Sequence, residues 1–458
     1  MNLKREYLMD KASIALREAE VQRASQAEVG VSLSRMALTR LANSIIDQNV
    51  AENHASVRVL LIFGKKKGSV TVDTLDDESI REAVGSAAKI ARVSREDTNF
   101  KSLPKAKPYS SALKSEELVC QATAEATPEA RAEYAMKAIQ CAHEVDKRIS
   151  AVAGAISNQT VESVIVNSLG IEGHQAGTSA NVNITVIGED GADETAGWAE
   201  DNRRDFQDLQ VEQVAEIAAR KAADGFGAQS LKPGEYEAVL ESPAATTLAW
   251  YMVYIGFSAR SYQDYRSFLL DRIGEKVFSE KLSIWDDALD KRFVSPRLFD
   301  GEGYPKRRMT LVDSGVVKNL IYDSYTAGKD NVESTGHNTK LWGMSMPFSE
   351  HMIVDEGKSE IDELIAQTKR GILVTHFHYT NPVDPTKGVL TGLTRDGTWY
   401  IERGEIKYPV GTLRYTDAIP RFLGEIDLVG RYPELKSGSH IVPSMKLPSF
   451  RITGSAEG

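Results

Sequence analysis

HFHYTNPVDPTKGVLTGLTRDGTWYIERGEIKYPVGTLR, residues His376 to Arg414, is the stretch whose reading decides the fold class. Apolar residues alternate with polar ones around Asn381-Pro382, Asp384-Pro385, Asp396-Gly397 and Arg403-Gly404, the period-2 pattern of short antiparallel strands joined by tight turns. The spacing predicts strands over Leu390 to Leu393, Thr398 to Ile401 and Ile406 to Val410, paired as a meander, with Gly397 and Gly404 supplying the positive φ that hairpin turns require. A bare hairpin is marginal in water. The meander must therefore bury one face, and the rest of the second half supplies partners. Val239-Leu240, Met309 to Asp313 and Val316 to Asp323 read as strands, beside an apolar helix from Pro243 to about Ile255 and a short one over Ile361 to Lys369. Many strands in one sheet close or fold over, so 229–458 is predicted to be a large β-rich, barrel-like domain.

Working outward, Leu8, Ala12, Ala15 and Ala19 recur at helical spacing, and Val29, Val31 and Leu33 alternate like a strand. Val57 to Phe63 and Ser69 to Asp73 read as a hairpin across Lys65-Lys66-Lys67-Gly68, a solvated basic turn. A helix over Asp77 to Arg92 turns Ile80, Val84, Ala87, Ala88 and Ala91 inward. Prolines, serines and lysines between Asp97 and Ser115 read as a linker. Thr127 then caps a helix with Pro128 at its first position, running to Val145. Strands follow over Ile149 to Asn158, Val161 to Asn167 and Ile171 to Ile187, then a helix from Leu209 to Asp224 that ends at Gly225 and Gly227. The expected class is α+β: an N-terminal α/β layered region of antiparallel sheet and flanking helices, then the β-rich domain. Domains are placed at 1–105, 106–228 and 229–458.

The chain has 458 residues, a formal charge of −10 and a pI near 5.5. Such a charge offers no field for phosphate backbones or anionic membranes, so no direct nucleic-acid or membrane partner is expected. The opening MNLKREYLMDK is charged where a secretory signal is apolar, and no apolar run approaches a membrane span, so a cytoplasmic protein is expected. Two cysteines, Cys120 and Cys141, are too few for a disulfide framework.

THFHYTNPVDP, followed by TGLTRDGTWYIERGEIKYPV and LRYTDA, resembles the C-terminal signature of the TldD/PmbA family (peptidase U62, also labelled modulator of DNA gyrase). Leu38 to Ser44 with Gln48-Asn49, Lys232-Pro233-Gly234 leading into EAVLESPAA, and SFLLDRIGEKVFSEKLSIWDD at 267–287 agree, in the family's own order. TldD-type members resemble zinc peptidases in carrying a helical His-Glu motif with a second histidine on the same helix, imidazoles holding the metal and the glutamate acting as general base. The resemblance places that helix after EAVLESPAATT, where this chain reads Ala249-Trp250-Tyr251-Met252-Val253-Tyr254. No histidine lies between His174 and His337, His143-Glu144 has no second histidine a turn later, and both cysteines precede residue 142, so the family's C-terminal cysteine ligand is missing.

The resemblance therefore implies a PmbA-type (TldE-type) member: no catalytic residue, cofactor or metal of its own, paired with a zinc-bearing TldD-type subunit as a heterodimer, or with itself as a homodimer. Its substrate would be an unfolded or small peptide held extended on strand edges. Two other readings stay open. One is an autonomous hydrolase with a metal on His376 and His378, which share one strand face, joined by His337 or His440. The other is a metal-free, homo-oligomeric peptide-binding or assembly protein. Asp286-Asp287 and Asp355-Glu356 are further acid/base candidates, set against solvated loop carboxylates; Ser267 and Ser439 lack a nucleophile-elbow context.

Overall fold

The computed structural model describes residues 4–341 and 344–455. Its first half is one antiparallel sheet of β1 (Gln26–Ala42), β2 (Ile45–Phe63), β3 (Lys66–Val72), β4 (Ile149–Asn167), β5 (Glu172–Asp190) and β6 (Asp193–Arg203), in the order β3-β2-β1-β4-β5-β6. β1 turns into β2 through Asn43 and Ser44, both at positive φ (50° and 59°), the mirror-image turn whose twist matches that of the flanking strands. Four helices cover one face: α1 (Arg5–Val21), α2 (Asp77–Val93), α4 (Pro128–Val145) and α5 (Val211–Ala223), with the single-turn α3 (Gln121–Ala124) between the pairs. Alternation explains which face. Val29, Val31, Val57, Val59 and Val164 point to α1 and α2, and Val152, Ile156, Val182 and Ile184 to α4 and α5, while Gly30, Ser32, Ser56, Arg58, Ser163 and Gln175 line the opposite, concave side. The strands are long and the twist accumulates, so the sheet curls into a half-barrel.

Two glycines set how closely the helices approach the edge strands. A Cβ at Gly68 on β3 would lie 2.2 Å from the Ala87 carbonyl oxygen of α2, and one at Gly197 on β6 would lie 2.0 Å from Ala218 O of α5. The helix caps follow the sequence: Asp76 accepts from Ser79 N, and Thr127 from Ala130 N, with Pro128 next.

Several expectations need correction here. The basic hairpin turns at Gly64-Lys65, not over the lysine triplet; Lys66 and Lys67 stand on β3. Lys67 is not a solvated loop residue, since its ammonium pairs with Asp97 (2.6 Å) and sits over the rings of Phe100 and Tyr325. The strands read at 149–158 and 161–167 are one, because Asn158 to Thr160 stay paired with β1 on one side and β5 on the other.

In the second half, β7 (Gly234–Leu240), β14 (Arg370–Asp384), β15 (Val389–Glu402), β17 (Leu413–Ala418) and β19 (Met445–Ser455) close a five-stranded barrel in the cycle β14-β7-β19-β17-β15-β14. β14 and β7 are parallel, and the other pairs antiparallel. β16 (Glu405–Pro409) adds to β15, and β18 (Leu428–Val429) to β19. A four-stranded sheet of β8 (Ile284–Asp286), β9 (Met309–Asp313), β10 (Val316–Val317) and β13 (Met352–Val354), and the hairpin of β11 (Asn338–Leu341) and β12 (Met344–Pro347), flank it. Helices α6 (Ser242–Met252), α7 (Ala259–Gln263), α8 (Ser324–Asp330), α9 (Ile361–Ala366) and α10 (Ile419–Phe422) complete the half. Ala245, Leu248 and Met252 of α6 share one core with Tyr236, Leu240, Val374, Tyr415 and Phe450 of the barrel strands.

The α+β class and the barrel are as the sequence predicts, but the meander is not. Leu390 to Leu393 and Thr398 to Ile401 belong to a single strand, β15. Asp396-Gly397 is a bulge: Val374 faces Thr398 and His376 faces Arg395, so Thr375 alone opposes both residues, at φ 56° and 135°. A closing strand must bend, and the extra residue supplies the bend where a free meander would have turned back. Asn381-Pro382 stays within β14, and the reversal into β15 is the turn Pro385–Lys387 ending at Gly388 (φ 68°). Arg403-Gly404 is a true hairpin turn (φ 54° and 81°). The strand read over Val316 to Asp323 stops at Val317, and Asp323 instead caps α8.

Candidate functional site

The helix that the resemblance marks for metal ligands is α6, prolonged by a π-helical turn over Val253–Phe257. Such turns widen a helix by one residue and are frequent at functional sites. Met252, Val253, Ile255 and Phe257 face the core. Trp250, Tyr251 and Tyr254 form a ring cluster, with centroids 5.0 Å (Trp250 to Tyr251) and 5.5 Å (Trp250 to Tyr254) apart and Phe348 5.2 Å from Trp250. The Tyr251 hydroxyl donates to Thr380 O, and Tyr415 shares a 2.9 Å hydrogen bond with the Thr380 hydroxyl. Burial raises the pKa of both phenols above the usual tyrosine value. An indole and neutral phenols are no ligand set for zinc, which takes thiolate, imidazole and carboxylate; the residues of this helix do not fit the ion.

His376 and His378 do share the outward face of β14, Phe377 between them being buried against Tyr415 (4.7 Å). Yet each ring has its own neighbour. His376 stacks on Trp198 of β6 at 4.6 Å with its Nδ1 3.4 Å from Asp396, while His378 packs against Tyr379 at 4.2 Å. Burial, then the charge of Arg395, lowers the His378 pKa. His378, Lys221, Arg395, Asp396 and Trp399 line a cavity of about 450 Å³ between α5, β6 and the barrel. His337 and His440 do not converge on it, and among the described residues no three His, Cys, Asp or Glu side chains are grouped to hold a metal.

Both of those histidines belong to a buried network around Asp286; sequence reasoning named Asp286, His337 and His440 but assigned them to different candidate sites. Asp286, wholly buried, lies 3.0 Å from His337 Nε2, accepts from Ser349 Oγ (2.5 Å) and lies 4.0 Å from Lys306 Nζ. Burial pushes its pKa upward, but the charges of Lys306 and His337 outweigh that and hold it well below the carboxylate range. His351 donates through Nε2 to Ser295 O (2.9 Å), and His440 Nδ1 accepts from Met352 N (3.3 Å). Burial lowers both pKa values, to about 3 for His351 and about 4 for His440. Serine, histidine and aspartate thus meet, but all three are fully buried and no substrate reaches them; the network ties β8, β13 and the loops together. No local motif announces it, since its members come from positions 286, 306, 337, 349, 351 and 440. Asp287 accepts from Leu289 N, Glu356 from Tyr432 N, and Ser267 Oγ donates to Gly256 O (2.7 Å), all structural bonds. His143 meets the Ser44 hydroxyl at 3.0 Å on the surface of α4.

A cleft lies between the concave face of the half-barrel and the loops of the second half. It comprises two adjoining cavities, of about 380 and 330 Å³, that share Arg58, Asn338 and Ser345. No motif in the sequence marks it.

A half-barrel sheet carrying helices on one face, followed by a closed five-stranded barrel that shares its core with a helix, defines an α+β protein built from two sheet systems. The family models for the PmbA/TldA metallopeptidase match 27–91 (domain 1), 122–225 (central domain) and 233–454 (C-terminal domain). The chain belongs to the PmbA/TldD family. It is 25% identical to the Metalloprotease PmbA of Escherichia coli O157:H7 over 97% of this chain and 96% of that protein. In structure it is similar to TldE from Thermococcus kodakarensis (TM-score 0.88, 24% identity, 97% of this chain and 100% of that one). It is also similar to a Thermotoga maritima protein described as a candidate modulator of a DNA gyrase (TM-score 0.85, 20% identity, 97% and 100%). No helix among the described residues is long and apolar enough to cross a membrane.

Proposed function

We propose that this chain is the PmbA-type (TldE-type) subunit of a TldD/TldE-type metallopeptidase, that it holds no zinc, and that it works with a zinc-bearing TldD-type partner on unfolded or small peptides. The observation that carries the reading is the ring cluster of Trp250, Tyr251 and Tyr254 on the helix where metal ligands would stand. Peptide hydrolysis in a metallopeptidase draws on an activated water and on charge stabilisation at the metal, and these rings supply neither. What the chain offers instead is surface. Tyr265, Tyr379, Val383 and Met344 are 54–74% exposed around this end of the barrel, next to a groove of about 190 Å³ lined by Tyr254, Met344, Pro382 and Pro385. Apolar side chains exposed together are the mark of a partner surface. Along β2, strand β3 pairs only with Val57 to Phe63, so the outer edge of residues 46–55 has no strand partner among the described residues. Such an edge holds extended peptide through its main chain, with little demand on side chains. The charge of −10 gives no support to direct DNA contact.

The test is co-expression with a TldD-type subunit, followed by metal analysis and peptide cleavage by each chain and by the complex. Cleavage by the complex alone, over an interface of more than ~2,000 Å² as in obligate assemblies, is expected. Cleavage by this chain alone after chelation refutes the subunit reading, and a stable homodimer that ignores the TldD-type chain replaces it with a self-paired binding protein.

A further inference from the structure

The smaller cavity of the cleft is walled by Glu28, Arg58 and Lys67 from the half-barrel, by Asp97 and Phe100 beside it, and by Arg260, Glu302, Asp323, Ser324 and Tyr325 from the second half, Arg260 being paired with Asp264 at 3.9 Å. Most of these charges are already matched. Arg58 pairs with Glu28 through Oε1, and Lys67 with Asp97. Asp323 Oδ1 is used by Thr326 N and Oγ1 at the start of α8. Two polar atoms in this wall are not matched: Glu28 Oε2, on a residue only 2% exposed, and the Ser324 hydroxyl, both buried with no hydrogen-bond partner among the described residues. Glu302 stands beside them. Its Oε2 accepts from Ser324 N (3.0 Å), and its carboxylate enters no ion pair among the described residues.

A buried carboxylate oxygen without a partner costs free energy unless a donor or a cation reaches it. The wall therefore presents three acceptors, Glu28 Oε2, Ser324 Oγ and the Glu302 carboxylate, in a space large enough for the end of a small molecule. A primary ammonium has three N–H donors and no acceptor. The same cavity already takes one such group: the Lys67 ammonium lies among Asp97, Phe100 and Tyr325. A metal ion is the poorer fit, because no three ligating side chains are grouped here among the described residues. A guanidinium ligand is also a poorer fit, since Arg58 already occupies Glu28 Oε1 and a second guanidinium, that of Arg260, already lines the cavity.

We propose that this cavity is a binding site for the primary ammonium of a peptide, held by Glu28, Glu302 and Ser324. The inference rests on the peptide-handling role proposed above and gives it a position, between the half-barrel and the loops of the second half. Burial, then the neighbouring carboxylates of Asp300, Asp323 and Glu28, raises the Glu302 pKa well above the ordinary value, the condition that an arriving cation relieves. The adjoining cavity carries the opposite bias. Arg297 and Lys340, which enter no ion pair among the described residues, line it with Arg58 and Lys306 against the carboxylates of Asp300 and Glu350, so cations outnumber carboxylates four to two along the path for the main chain and carboxylate of a short peptide.

The experiment is calorimetric titration of the isolated chain with three short peptides: a lysine-free tetrapeptide with a free amino terminus, its N-acetylated form, and the acetylated form with one lysine. At least one amine-bearing peptide is expected to bind about tenfold or more tightly than the amine-free one, as for a hydrogen-bonded charge, and comparison of the two identifies the ammonium as chain-terminal or side-chain. Glu302→Gln keeps an acceptor for Ser324 N but removes the charge, and is expected to abolish most of that preference with the thermal melt not lowered, since the buried carboxylate it replaces is crowded by its neighbours. Equal binding of all three peptides, no binding by any, or a preference that survives Glu302→Gln overturns the proposal. Comparison with cleavage by the two-chain complex separates the two claims: cleavage without an amine preference in this chain removes only the ammonium site, and an amine preference without cleavage removes only the subunit reading.

Discussion

Replacing His440 with Asn should flatten the acid side of the stability curve, because the ring it removes is buried and neutral. The ring is 2% exposed, its Nδ1 accepts from Met352 N, and its Nε2 has no hydrogen-bond partner among the described residues. A ring that accepts at Nδ1 carries its proton on Nε2, so the imidazolium form loses the Met352 bond as well as its hydration. Burial lowers the pKa to about 4, against 6.5 for an ordinary histidine. The sign follows from which state takes up the proton first. As pH falls below 6.5 the unfolded chain is protonated while the native ring stays neutral, so the stability present above 6.5 is lost as pH falls towards 4. Between about pH 7 and pH 4.5 the loss comes to about 2 kcal/mol. The wild-type curve alone would not reveal it. Asp300, raised to about 6 by burial, works in the opposite direction, its contribution being present at low pH and lost as pH rises through 6. The difference between wild type and His440→Asn removes that background, and the Asn Oδ1 can take the place of Nδ1 for Met352 N. Urea unfolding followed by circular dichroism across this pH range measures it. Parallel curves for the two proteins, within about 0.5 kcal/mol, would refute the buried neutral histidine.

Three other outcomes are expected. Gly397→Ala, at φ 135° with its new Cβ 2.6 Å from the Trp399 ring, should cost roughly 2–4 kcal/mol in urea unfolding; Gly411→Ala, with nothing within 4 Å, should stay within about 0.5 kcal/mol. Arg131→Ala strips the donors from Asn158 Oδ1, Thr39 Oγ1 and Ala126 O in a buried pocket and should cost about 3 kcal/mol, measured by the shift in urea midpoint. Purified protein dialysed against a weak chelator should hold no stoichiometric zinc by elemental analysis; near-unit zinc that disappears in His376→Ala would return the autonomous metal hydrolase to the front.

Local patterns in the chain were enough for much of the architecture. Thr127-Pro128, the 3.6-residue apolar spacing of α2 and the alternation of β1 are read over a few neighbours; the structure places the two helices within a residue or so of the reading and extends the strand seen at Val29 to Leu33 over Gln26–Ala42. The same neighbourhood reading misled at Asp396-Gly397. A glycine after an aspartate has the torsional freedom for a hairpin turn or for a bulge, and only closure of β14 against β15 selects the bulge. Lys67 looked solvated for a similar reason, since Phe100 and Tyr325 reach it from distant sequence positions.

The sequence by itself determined the α+β class, the family resemblance and the lack of a histidine pair on the helix after β7, because each depends on residue type and short spacing. Only the tertiary structure decided that Asp286 lies with His337 and Ser349, that Trp198 covers His376, and that Glu28 and Ser324 leave unmatched oxygens in the same wall. Those meetings join positions tens to hundreds of residues apart, and whether a polar atom is buried or paired depends on the packing of the whole fold rather than on its neighbours in the chain.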